Sequence, residues 1–302
     1  MSLIEEAGFP PGVVNVVTGY GLDVGAPLVE HKDVAKISFT GSDTSGQKIN
    51  EVAARSFKHV SLELGGKSPN IVFEDADFDA AVMGAISGIF AATGQTCIAG
   101  SRLLVQRSIH DQFVKRLVEV AREATIGDPM SRDTHVGPVT TPPQYQKILD
   151  YIDIAKKEGA TCALGGAPHD GPGGQFVLPT IFIGVDNAMR IAQEEVFGPV
   201  LSVIPFDTEE DAIRIGNDID FGLAAGVWTS DIGRALRMSD KLKVGTVWVN
   251  TYRAVSYTSP FGGYKRSGIG RESGMEAITE YLQTKSVWIA QETSVANPFV
   301  MR

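Results

Sequence analysis

The sequence predicts an α/β protein organised on a parallel sheet and divided into two compact units. Short β-branched runs alternate with helical stripes, and thirty-three glycines punctuate them. The 302 residues also exceed what a single hydrophobic core usually organises. Residues 2–7 read as the last turns of a helix that ends at Gly8, and Pro10 and Pro11 lead out of it. Residues 13–17, 35–39, 60–64 and 70–73 read as short buried strands with helical spacing between them. Asp75, Asp77 and Asp79 precede the apolar run 80–92 as a solvated acidic helix start, favourable to the helix dipole. A longer α/β region follows, in which Ile109, Phe113, Leu117, Val120 and Ala124 form one helical stripe. Residues 201–204, 226–228 and 246–249 read as its strands. The last helical pattern covers residues 272–281, and the alternation over 284–290 predicts a strand that pairs with another subunit.

Hydrophobic residues at 43 % and charged residues at 21 % place the chain among soluble globular proteins and exclude disordered and collagen-like classes. Twenty-seven basic against thirty-six acidic side chains give a net charge of −9, which repels polyphosphate, so no nucleic-acid partner is expected. The apolar run 80–92 is too short to cross a bilayer and is interrupted by Gly84 and Gly88, so no membrane span is expected either. The amino end lacks the basic and apolar blocks of a secretory signal. Two cysteines make no disulfide framework, which points to a reducing cytoplasm.

Some motif fragments fail when their chemistry is checked. Gly66-Lys67-Ser68 imitates a phosphate-binding loop, but Ser61 stands where that loop needs glycine. The aspartates at 75, 77 and 79 imitate a calcium loop, yet Ala80 and Ile86 replace its required glycine and glutamate. The five histidines show no metal-ligand spacing, so no metal is expected.

Four segments remain: Phe39-Thr40-Gly41-Ser42, Leu62 to Lys67, Gly94-Gln95-Thr96-Cys97, and Glu194 to Pro199. Cys97 follows a glycine turn in a polar loop, where a thiol can be partly exposed and reactive. A lone cysteine is more often buried and inert, and Cys162, in an apolar strand pattern, keeps that reading. Glu63 stands between two leucines at a strand end, where burial raises a carboxylate pKa toward that of a general base. A solvent-facing carboxylate is an equal alternative. Gly41 and Ser42 open a helix after a strand and can offer N–H groups and a hydroxyl to a pyrophosphate, though an ordinary N-cap serine is common. By local context alone, Phe197 reads as core and Glu195 as a surface charge.

In order and spacing the four segments resemble the NAD(P)-dependent aldehyde dehydrogenase superfamily, and the likeness runs from Gly8 to Gly268. It implies an incomplete Rossmann-type parallel sheet plus an α/β catalytic domain. The expected division is 1–65 for a partial dinucleotide-binding domain, 66–266 for the catalytic thiol domain, and 267–302 for a returning helix and oligomerisation strand. The resemblance makes Cys97 the nucleophile and Glu63 the base that activates the hydrolytic water. It assigns Gly41, Ser42, Leu64, Glu195 and Phe197 to NAD or NADP, and Glu272 to a proton relay proposed in some members, with a solvated helix-start carboxylate as an equal alternative for Glu272. The loop from Thr251 to Tyr257 would line the aldehyde entrance, with Arg253 and Phe261 on the substrate side and Arg253 favouring a remote carboxylate, though a solvated arginine at a loop start is the commoner alternative. A small-molecule aldehyde and a homo-oligomer are the implied partners.

Family chains continue upstream of the segment that Met1 opens. That upstream part carries an oxyanion-hole asparagine, a lysine for the adenosine ribose and an oligomerisation hairpin, none of which has a counterpart here. A truncated chain of low activity is therefore the expectation. A coenzyme-A-acylating relative and a non-catalytic fragment are the alternatives; Glu63 argues against the first, and Cys97 with Glu63 against the second for the parent protein.

Overall fold

The computed structural model describes residues 2–170, 173–291, 297, 299 and 300. Helix α1 (Ser2–Glu6) is closed by Gly8 at φ +81°, the left-handed cap expected of glycine. A short π-helical turn at Gly21–Gly25 leads into α2 (Ala26–Glu30). Strand β1 (Lys36–Thr40), helix α3 (Asp43–Ala54) and strand β2 (His59–Glu63) then form a parallel unit with Phe39 opposite Leu62 and Thr40 opposite Glu63. Residues 13–17 form no strand. Val13, Val16 and Val17 lie on the surface as irregular chain and pair with no strand among the described residues.

Strand β3 (Pro69–Val72) leaves this sheet for a second, larger one. Helix α4 (Phe78–Phe90) follows, capped by Asp77, which accepts from the Ala80 N–H at 3.0 Å. Asp75 is not a solvated helix-start charge. It accepts from Thr229 Oγ1, the Ser230 and Asp231 N–H groups and Arg234 Nη1, and these bonds hold its carboxyl below the usual range despite partial burial.

The remaining elements are β4 (Arg102–Gln106), α5 (His110–Arg122), α6 (Pro142–Lys157), β5 (Thr161–Leu164), β6 (Pro168–His169), β7 (Phe176–Val177), β8 (Thr180–Ile183), α7 (Arg190–Gln193) and β9 (Val200–Phe206). After them come α8 (Glu209–Asn217), β10 (Phe221–Gly222), β11 (Ala224–Trp228), α9 (Ile232–Lys241), β12 (Thr246–Val249), β13 (Tyr264–Lys265), β14 (Gly268–Ile269) and α10 (Glu276–Thr279). The large sheet runs β12-β11-β3-β4-β9-β8-β5, parallel except for the last pair. Helices cover both faces, so its strands are continuously apolar instead of alternating. Leu104, Phe206 and Ile204 pack with Ile148 and Ile152 of α6 on one face. Leu103, Val105 and Val203 pack with Val82, Ile89 and Phe113 on the other.

Near the end, β14 returns to the small sheet and pairs antiparallel with β2, placing Gly268 opposite Glu63. The helical pattern over 272–281 shrinks to α10. Ser273 and Gly274 have φ of +59° and +67°, and Glu272 is held in a bridge with Phe261. Residues 284–290 form no strand among the described residues; they are exposed, with Trp288 at 93 %, since a strand needs a neighbour to pair with.

Arg102, fully buried at the head of β4, locks these parts together. Its guanidinium donates to the carbonyls of Lys67, Ile215 and Gly216 and to Asn187 Oδ1, at 2.9 to 3.0 Å. Burial lowers its pKa to about 10, so it stays charged at neutral pH. Arg102→Met orphans these acceptors and is expected to cost about 3 kcal/mol or more of stability. Urea unfolding checks this; a loss within error of zero would show that the acceptors find other donors.

Candidate active site

The site is assembled around the exit of β2. Residues 61–73 are all buried, and this stretch passes from the small sheet to the large one through Gly65 and Gly66. A Cβ on Gly65 would come within 2.5 Å of the Glu195 carboxylate, and one on Gly66 within 2.5 Å of the Cys97 carbonyl oxygen. Only glycine lets the chain pass between these two groups. The Leu64 N–H donates to the Ser267 carbonyl at 3.0 Å. Ser267 Oγ donates to the Gly65 carbonyl at 2.7 Å, and the Gly66 N–H donates to Glu195 Oε1 at 2.9 Å.

Cys97, Glu63, Leu64, Glu195 and Phe197 thereby converge. A small cavity bounded by Gly66, Thr96, Ser101, Glu195 and Phe197 adjoins them. Burial, then the Glu195 charge, pushes the Cys97 thiol up; N–H bonds from Ile98 and from Cys97 itself oppose this. Burial raises Glu63 to about 8, helped by the Glu272 charge and opposed by Arg271. Its Oε1 lies where a Cβ on Gly262 would come within 2.7 Å, which brings the Phe261–Gly262 turn against the carboxylate. Glu195 is no surface charge: burial raises its pKa, and the Gly66 N–H limits the rise. Phe197 is half-buried with φ +56°, and Gln144 Nε2 donates to its carbonyl at 2.9 Å.

The small-sheet residues stand beside this cluster. The Gly41 N–H is already given to the Glu63 carbonyl at 3.1 Å, so it is not free for a phosphate as the sequence suggests. Ser42 caps α3 by accepting from the Ser45 N–H at 3.2 Å. Glu272 accepts from Ser38 Oγ at 3.1 Å, outside any helix. Phe261 and Glu272 exchange backbone hydrogen bonds at 2.7 and 2.8 Å. Arg253 donates through Nη1 to the Ala91 carbonyl at 3.1 Å. Cys162 lies in β5, where its Sγ donates to the Leu164 carbonyl at 3.2 Å.

Between Ala91 and Cys97 the backbone turns left-handed. Ala92, Thr93 and Gly94 have φ of +52°, +58° and +66°. For Ala92 and Thr93 this costs about 1 to 2 kcal/mol each. Thr93 Oγ1 donates to the Gly137 carbonyl and Gln95 Nε2 to the Pro138 carbonyl, which ties the turn down. Sequence reasoning missed Ser267 and Gln144, whose partners Gly65 and Phe197 lie far from them in sequence. Lys67, which imitated a phosphate-loop lysine, is fully buried instead, and burial and then the Arg102 charge lower its pKa to about 7.

The sequence model of the aldehyde dehydrogenase family matches residues 1–287. An aldehyde dehydrogenase of Emericella nidulans is 51 % identical over 286 residues, covering 94 % of this chain and 57 % of the relative. A betaine aldehyde dehydrogenase of Mesorhizobium japonicum is 49 % identical over 300 residues, covering 98 % of this chain and 61 % of the relative. Among solved structures, betaine aldehyde dehydrogenase from Staphylococcus aureus in complex with NAD+ superposes with a TM-score of 0.96 at 45 % identity, over 99 % of this chain and 60 % of that one. An NAD+ complex of aldehyde dehydrogenase from Bacillus cereus gives 0.94 at 47 % identity, over 96 % and 59 %. The chain belongs to the aldehyde dehydrogenase family, and it spans less than two thirds of the length of these relatives.

The raised Glu63 pKa has a consequence for stability. The folded protein holds this proton more tightly than the unfolded chain, so the stabilisation is complete below about 4.5 and is lost as pH rises through about 8. Glu63→Gln, which cannot ionise, should melt a few degrees above the parent at pH 9 and close to it at pH 5. Calorimetry at the two pH values checks this; a gap independent of pH would show that Glu63 is not held protonated.

Proposed function

We propose that this chain carries the reacting centre of a non-acylating aldehyde dehydrogenase that oxidises an aldehyde to a carboxylic acid with NAD or NADP. The observation that carries the reading is the convergence of Cys97 and Glu63 on the glycine passage beside Glu195. The site fits a dinucleotide: Glu195 gives one oxygen to the Gly66 N–H and takes no other protein hydrogen bond among the described residues, which leaves the second for a sugar diol. Gly41 and Ser42, at the start of the twelve-residue helix α3, are assigned to the cofactor phosphates on the family resemblance; the Gly41, Thr44 and Ser45 N–H groups there are taken by the Glu63 carbonyl, Asp43 Oδ1 and Ser42 Oγ. Leu64 would contact the nicotinamide end through its backbone, and Phe197 would flank it.

NAD(P), when bound, supplies the hydride acceptor. Cys97 gives its proton to solvent water, and its sulfur attacks the aldehyde carbon, forming a C–S bond and moving the C=O π electrons onto the oxygen. After hydride loss the carbon is held as a thioester on Cys97. Glu63, ionised above about 8 and partly so near neutrality, takes a proton from water. The water oxygen attacks the thioester, the C–S bond breaks, and the acid leaves with Cys97 restored. Glu63 favours this hydrolysis over transfer to coenzyme A. Glu272 stands near enough to influence Glu63 and is assigned to passing its proton outward. The aldehyde enters past Phe261 and Arg253, whose guanidinium favours a remote carboxylate.

Residues 1–65 are assigned to dinucleotide binding, 66–266 to thiol chemistry and 267–302 to the return and oligomer contact. The exposed Val287, Trp288 and Ile289 support pairing of that tail in a homo-oligomer. Strand β1 ends its sheet, and a groove of about 1020 Å³ beside it is open along Leu28, Ile37 and Phe39. A cofactor held from one side only is held weakly, so dehydrogenase turnover by the 302-residue chain is low. Ester hydrolysis, which needs no hydride acceptor, is expected to outrun it.

The test compares NADH formation from a short aldehyde with nitrophenyl ester hydrolysis. Cys97→Ser should abolish both, and Glu63→Gln should slow turnover about a hundredfold or more. Unchanged hydrolysis in Cys97→Ser would refute the reading.

A further inference from the structure

The strained turn before Cys97 is gripped from outside its own segment. Two consecutive residues of the loop after β12 each donate to a carbonyl flanking the nucleophile. Arg253 Nη1 reaches the Ala91 carbonyl at 3.1 Å, at the start of the left-handed turn. Tyr252 OH reaches the Ile98 carbonyl at 2.9 Å, one residue past Cys97. We propose that Tyr252 and Arg253 are positioning residues, a two-point clamp that fixes the segment carrying Cys97. This rests on the reading of Cys97 as the nucleophile.

The clamp is itself anchored. The Tyr252 ring is buried in a slot that glycine makes possible: a Cβ on Gly226 would come within 2.6 Å of its Cδ2, and one on Gly100 within 3.0 Å of its hydroxyl. Trp248 packs on the ring at 4.8 Å, and Trp248 Nε1 donates to the Ala254 carbonyl at 2.7 Å, just beyond Arg253. Asn250 Nδ2 donates to the Thr229 carbonyl, and Asn250 Oδ1 accepts from the Thr229 N–H, which moors the loop to the end of β11. From Val255 to Tyr257 the same loop is open to solvent. The segment that meets solvent is thus continuous with the one that holds the thiol. Arg253 serves the nucleophile through the Ala91 carbonyl whatever its remaining N–H groups do for a substrate.

The strain dictates the logic of the test. Without Arg253 the Ala91 carbonyl loses that donor, the turn is held from its far side by the Thr93–Gly137 and Gln95–Pro138 bonds, and the strain at Ala92 draws the segment and its thiol out of place. With glycine at position 92 the left-handed turn no longer needs holding there. The probes are iodoacetamide labelling of Cys97, read by mass spectrometry, and nitrophenyl acetate turnover, both on the 302-residue chain. Tyr252→Phe, which removes one hydroxyl, and Arg253→Met should each speed Cys97 alkylation about threefold or more as the loop opens. Each should lower kcat for the ester roughly tenfold with KM little changed. Adding Ala92→Gly to Arg253→Met should return both rates to near the parent values. Unchanged Cys97 alkylation and ester turnover in both single variants would overturn the clamp. So would failure of Ala92→Gly to restore Arg253→Met while the melting curve shows a folded protein. Ester turnover surviving Cys97→Ser would instead overturn the nucleophile, and the alkylation rates report the clamp independently of that result.

Discussion

Everything in this structure depends on one buried passage of chain, in which residues 61–73 leave the small sheet and enter the large one without reaching solvent. A backbone that crosses between sheets in a dry interior must satisfy its polar groups on the way. Ser267, Glu195 and Arg102 do so at successive positions, Gly65, Gly66 and Lys67. The satisfaction brings the chemistry with it. The bond that stabilises the Gly66 N–H also fixes Glu195, and the pair of glycines that allows the crossing admits the Cys97 carbonyl on the other side. Glu63 ends β2 at the entry to the passage, and burial there raises its pKa.

Most of the fold was legible in the sequence. The strands at 246–249, 201–204 and 226–228 lie in or near the observed elements, since buried parallel strands announce themselves as unbroken apolar runs. The stripe through Phe113 and Leu117 is the buried face of α5. What misled was the same signal without a partner. The valines at 13, 16 and 17, and residues 284–290, have strand composition but no ladder to join. Composition records the propensity to pair and says nothing of whether an edge is present.

The site was legible in pieces. Strand-end burial of Glu63 and the glycine turn before Cys97 could be read from neighbours in sequence. The burial of Glu195 could not, because it comes from contact with Gly66, 129 residues away. Asp75 misled for the same reason, its partners lying at Thr229 to Arg234. The left-handed backbone at Ala92 and Thr93 leaves no compositional trace, since neither residue is one that favours it. Tyr252 and Arg253 look like ordinary loop residues until the fold sets them against Ile98 and Ala91.

One buried passage joins the Cys97 thiol to the Glu63 carboxyl, which burial raises to about 8. Rapid-quench mass spectrometry of the acylated Cys97 peptide, after a pulse of nitrophenyl acetate, follows this directly as deacylation at a series of pH values. The acyl group is expected on Cys97 and should leave faster as pH rises, with a midpoint of about 8 that Glu63→Gln removes. Acylation of Cys162, or a deacylation rate on Cys97 with the same pH profile in Glu63→Gln, would contradict it.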